Sequence, residues 1–122
     1  MIGTVAAWAG VGVLGGIAAI ARFLVDGAIE SRSSSGFPYG TLVVNLSGAV
    51  ILGFLAGLAL EGDPMLLTGT AVVGSYTTFS TWMFESQRLA EDGQWRPALV
   101  NVVASLILGI LAAALGDAIG GL

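Results

Sequence analysis

The residues able to do chemistry here are hydroxyls, amides and aromatic rings set inside otherwise apolar stretches. The densest group runs Gly74-Ser75-Tyr76-Thr77-Thr78-Phe79-Ser80-Thr81-Trp82. Where water is absent, each hydroxyl must find a partner in the protein or line a wet path. Hydroxyls beside a glycine also permit a helix to break, and a break frees backbone carbonyls that can hold a cation. Phe79 and Trp82 are three apart and share a face of any continuing helix. An aromatic edge carries positive charge density and can face an anion, although rings serve ordinary packing as well.

Other polar groups extend the pattern. Asn45 brings two amide donors and an acceptor, suited either to joining helices or to lining a path. Ser47 can satisfy itself on a carbonyl one turn earlier. Asn101 and Ser105 are four apart and so share a helix face. Arg22 closes an apolar run, where a cation either snorkels to the interface or draws anions into a vestibule. No acidic residue joins this set, since Glu85 and Asp117 fall near segment ends. Without Cys or His, the chain has no thiolate, disulfide or imidazole chemistry.

The elements that must position these groups are membrane-length. The 122 residues are 56% hydrophobic and 10% charged, with a mean hydropathy of +0.93. A soluble domain would need polar helix faces, and these segments are apolar all round. Four runs reach the roughly 20 residues that cross about 30 Å of hydrocarbon: Gly3–Ala21, Gly40–Leu60, Met65–Phe84 and Ala98–Ile119. The expected fold is an all-α membrane protein of four transmembrane helices, a single domain over residues 1–122. The start Met1-Ile2-Gly3-Thr4-Val5 has no basic n-region, so the first run is expected to be retained.

The connections carry breakers. A polar loop is expected from Asp26 to Pro38, a tight turn at Glu61-Gly62-Asp63-Pro64, and a last loop from Glu91 to Pro97. Alternating crossings put Arg22, Arg32, Arg88 and Arg96 on one side and no basic residue on the other, which makes that side cytoplasmic. The net charge of −4 argues against a nucleic-acid surface. Gly12 and Gly16, Gly53 and Gly57, and Gly116 and Gly120 each sit four apart, a spacing that lets helix backbones approach closely. Four small helices enclose little space, so a pathway forms more easily between subunits than within one.

Three stretches resemble the small bacterial fluoride channels, the Fluc or CrcB family, over nearly the whole chain. They are Gly15-Gly16 with Ala21-Arg22-Phe23, Gly40-Thr41-Leu42-Val43-Val44-Asn45-Leu46-Ser47-Gly48, and Thr77-Thr78-Phe79-Ser80-Thr81. The resemblance implies an antiparallel, dual-topology dimer in the cell inner (plasma) membrane. Two narrow pores at its interface would let fluoride leave down its gradient and confer fluoride resistance, with no catalysis. It implies that Asn45 is a pore-lining donor, Phe79 a wall aromatic, and Arg22 a vestibule cation, with Ser80, Thr81 and Ser105 on a polar track. The third helix would break mid-membrane and turn the carbonyls of Gly74 and Thr77 toward a structural sodium ion shared between subunits, a hard cation suited to oxygen ligands. Two positions depart from the pattern: Trp82 stands where phenylalanine is usual, and Asn101 where tyrosine is frequent.

The one-sided arginines bear on the partner. A homodimer that inserts both ways needs little charge bias, and the observed bias suits pairing with a homologue of opposite orientation, although the homodimer stays the first reading. Two other classes compete. A small multidrug-resistance-type exporter needs a mid-membrane carboxylate in its first helix, and the first run has none. A non-transporting membrane subunit would explain the glycine faces but not the cluster at Gly74–Trp82.

Overall fold

The apolar runs build long helices, and charge at their ends does not stop them. The computed structural model describes residues 3–122, so Met1 and Ile2 lie outside the described residues. Helix α1 spans Thr4–Glu30 and α2 Tyr39–Gly57; a turn of helix α3 (Gly62–Met65) leads into a π-helical stretch, Leu66–Val73. One further turn, α4 (Gly74–Tyr76), ends at Thr77, whose ψ of 163° is extended. The chain re-enters helix as α5 (Ser80–Glu91) and closes with α6 (Trp95–Gly120). Among the described residues there is no strand.

The loop expected from Asp26 to Pro38 begins later, because α1 runs on through Asp26 to Glu30. Both acids have work at the start of α2. Glu30 Oε1 accepts the Gly40 N–H at 2.8 Å, and a side chain at position 40 would run into Asp26. The expected turn holds a left-handed Gly62, with φ of 64°, and a second left-handed position stands three residues earlier, where α2 ends. Ala59 takes it, with φ of 56°, and the Leu60 N–H reaches back to the Leu55 carbonyl. The same closure after α5 uses Gly93, with φ of 79°, which a residue without Cβ adopts at no steric cost.

Helices α1, α2 and α6 are long and apolar enough to cross a membrane, and the chain is a membrane protein. Helix α2 packs along α6, α1 lies against α2 and the π-helical stretch, and α5 rests on α6. The α2–α6 seam is where two of the glycine pairs act. Methyl groups at Gly53 and Gly57 would run into the backbone of Ala113 and Asp117, and at Gly116 and Gly120 into that of Val50 and Phe54. Among the described residues, a methyl group at Gly12 or Gly16 would meet nothing within 4 Å.

Candidate functional site

The break between α4 and α5 is held by a side chain from α2. Asn45 Oδ1 accepts the Thr78 N–H at 2.8 Å, while its Nδ2 donates to the Thr78 carbonyl at 2.8 Å. The amide thus pairs with one residue's backbone in both senses, and one Nδ2 hydrogen remains unused. Gly48 makes the approach possible, because a side chain there would meet the Thr77 methyl. Ser47 bonds back to the Val44 carbonyl at 3.0 Å, as its type suggests, and also meets the Tyr76 hydroxyl at 3.0 Å.

Backbone groups are left open around this pairing. Among the described residues, no hydrogen bond ends on the carbonyl oxygens of Gly74 or Thr77, and the N–H groups of Phe79 and Ser80 meet no acceptor. The break therefore presents both free acceptors and, where α5 begins, free donors with the positive end of a helix dipole.

Two cavities flank the break. A surface groove of about 290 Å³ is lined by Asn45, Thr77, Thr78, Phe79 and Trp82 together with small and aliphatic residues of α2. Phe79 is 70% exposed on this surface, one of many apolar side chains that the subunit leaves uncovered, Phe23 at 76% among them. Its ring meets that of Trp82 edge to face, 5.7 Å between centroids at 83°. The second cavity, about 220 Å³, is lined by Arg22, Phe23, Asp26, Thr41, Val44, Thr78 and Thr81. Thr78, in the break, borders both.

The structure thus gathers Asn45, Thr77, Phe79 and Trp82 on one side of Thr78, and Arg22 and Thr81 on the other. Gly74 is exposed at the top of the break. Ser80 is exposed but lines neither cavity, and Ser105 in α6 also lies outside both, its hydroxyl buried without a partner. Thr41 and Asp26 are new to the site. Thr41 is 3% exposed and lies beside Glu85, and Asp26 Oδ1 is a buried oxygen without a hydrogen-bond partner among the described residues. Asp26 could have been found: at four residues from Arg22 it shares that residue's helix face once α1 is extended.

Trp82 and Asn101, the two unusual positions, belong to one network. Trp82 Nε1–H donates to the Asn101 carbonyl at 3.1 Å. The Asn101 side chain, 1% exposed, donates to Ser86 Oγ at 2.8 Å, and Ser86 donates to the Trp82 carbonyl at 2.9 Å. The indole donor is therefore committed to α6 and is not available to a ligand, leaving Trp82 to act on the groove through its ring.

The chain is similar to known proteins along most of its length. The family model described as CrcB-like protein, Camphor Resistance (CrcB), matches residues 9–117. The chain is 60% identical over 114 residues to a Mycolicibacterium paratuberculosis protein named fluoride-specific ion channel FluC 2, covering 93% of each chain. It is 59% identical over 114 residues to the FluC 2 protein of Mycobacterium tuberculosis, covering 93% of this chain and 90% of the relative. A protein of Leifsonia xyli named fluoride-specific ion channel FluC 1 is 42% identical over 116 residues, covering 92% and 85%.

Proposed function

The chain belongs to the CrcB-like family, and on that premise we propose that it is a fluoride-specific ion channel whose groove becomes a pore when a second subunit covers it. The observation that carries this reading is the exposed Phe79 ring, standing beside Asn45 and the free N–H groups of the break on the subunit surface. Export is passive, across the cell inner membrane, and confers fluoride resistance. The segment Met65–Phe84 supplies the fourth crossing through its two half-helices.

A fluoride ion that leaves water must exchange its hydration shell for protein donors. Arg22 draws the anion into the cavity at the mouth, and Asp26 beside it tempers the attraction so that the ion is not held. Thr81 and Thr41 offer hydroxyls there. Past Thr78, the spare Asn45 N–H, the opening N–H groups of α5 and the Phe79 edge follow, with Ser80 on the face that the second subunit covers. No carboxylate lines the groove at Asn45 and Phe79 to repel an anion.

The partner is a second copy in antiparallel orientation, giving two pores at the interface. A homologue of opposite orientation is the second reading, favoured by the four arginines that alternating crossings put on one side of the membrane. The carbonyls of Gly74 and Thr77, without hydrogen bonds at the break, fit a structural sodium ion, since two from each subunit make a four-oxygen set for a hard cation. Such an ion supplies charge that ties the two breaks together and is not transported. A proton-coupled multidrug exporter fits less well, because the acids of α1, Asp26 and Glu30, lie in its last two turns and not at its middle.

Bacteria stripped of their own fluoride export and carrying this chain are expected to grow at fluoride concentrations that arrest the same strain with an empty vector. Protection by the chain alone supports the homodimer. Protection that appears only with a co-expressed homologue assigns the mixed dimer, and none in either case counts against the channel.

A further inference from the structure

In a continuous α-helix the N–H of Thr78 bonds to the carbonyl of Gly74, and the N–H of Thr81 to that of Thr77, four residues back. Here both donors are diverted to side-chain oxygens. The Thr78 N–H goes to Asn45 Oδ1 at 2.8 Å, and the Thr81 N–H goes to Thr78 Oγ1 at 3.2 Å. The two acceptors released are the pair assigned above to the cation.

We propose that Asn45 and Thr78 are the positioning residues of the cation site, holding the break open by capturing the N–H groups that would otherwise reclaim its ligands. This rests on the sodium reading given above. Glycine and hydroxyls make a break permissible, but a chain in lipid re-forms its helix unless the freed N–H groups have other acceptors or line a wet path, as those of Phe79 and Ser80 would. Asn45 supplies the first acceptor and locks it in place through its second bond, to the Thr78 carbonyl. Thr78 supplies the second, and so depends on the backbone that Asn45 has fixed. Because Asn45 also lines the groove beside Phe79, the anion path and the cation site share a residue. Any anion that shifts its amide must alter cation affinity, and sodium must alter anion affinity by the same factor.

The test is the thermal unfolding midpoint of the purified full chain, titrated with sodium chloride against choline chloride at constant ionic strength. Wild type is expected to show a saturating, sodium-specific rise. Thr78→Val, which removes the hydroxyl and keeps the shape, is expected to raise the half-saturating sodium concentration by up to about tenfold, the upper end of what one neutral hydrogen bond is worth. Thr78→Ser retains the acceptor and is expected to titrate like wild type. Asn45→Leu is expected to show at least the loss seen in Thr78→Val; if it does not fold, the Thr78 pair decides. General destabilisation lowers the midpoint in every salt but leaves the half-saturating sodium concentration where it was. A Thr78→Val protein with the wild-type sodium response overturns the proposal. A wild type indifferent to sodium overturns the cation reading itself, and this inference with it.

Discussion

Replacing Phe79 with isoleucine is expected to lower fluoride flux by about 10- to 100-fold while the protein stays folded. The side chain is 70% exposed, so the subunit's own packing barely uses it. Its one described ring contact is the edge-to-face meeting with Trp82. Isoleucine keeps an apolar side chain there and removes the electropositive edge that can face an anion. Counted as a weak donor, the ring edge is bounded by the roughly 1.5–3 kcal/mol of a hydrogen bond to a charged group, which converts to the stated range of rates. Flux from proteoliposomes, with circular dichroism and size-exclusion profiles as folding controls, measures it. Unchanged flux would remove Phe79 from the path.

Replacing Gly116 with alanine is expected to cost about 3 kcal/mol of stability, beyond the gain of up to about 1 kcal/mol that alanine brings to an ordinary helix position. The added methyl would run into the carbonyl oxygen of Val50, and next to it the backbone of Phe54. Neither is the end of a flexible side chain, so α2 and α6 must separate to admit it. Gly109 on the same helix has nothing within 4 Å, and alanine there is expected to be neutral or slightly stabilising. Thermal unfolding of the two variants side by side separates the seam from helix propensity. Equal stability would show that α2 and α6 are less closely apposed.

The glycine spacing made the seam legible in sequence, but not its pairing. Gly53 and Gly57 face the Ala113–Gly121 stretch, a match that needs two helices placed, whereas methyl groups at Gly12 and Gly16, with the same spacing, would meet nothing within 4 Å among the described residues. The break was also legible, because Gly74 and the hydroxyls that follow are what a helix needs to open in lipid. The π-helical turns before it were not, since a lone Gly69 among apolar residues and threonines announces no change of register, and the stretch meets α1 only once the chain is folded. Helix α1 outran its apolar stretch because acids do not end a helix when its last turns find partners, as Glu30 does on Gly40. Asn45 was visible as a group that must be satisfied, yet its partner lies 33 residues away. Trp82 and Asn101 looked like two separate departures from the family. A bond spanning 19 residues makes them one, and a single sequence carries no mark of it.

The measurement that bears most directly on the channel is anion efflux from liposomes reconstituted with this chain alone, loaded in parallel with fluoride or chloride and read with ion-selective electrodes. Fluoride release that runs to completion within the assay, with chloride release no faster than from empty liposomes, is the predicted result. Equal release of both ions, or a fluoride trace that matches empty liposomes whether or not a homologous subunit is added, would contradict it.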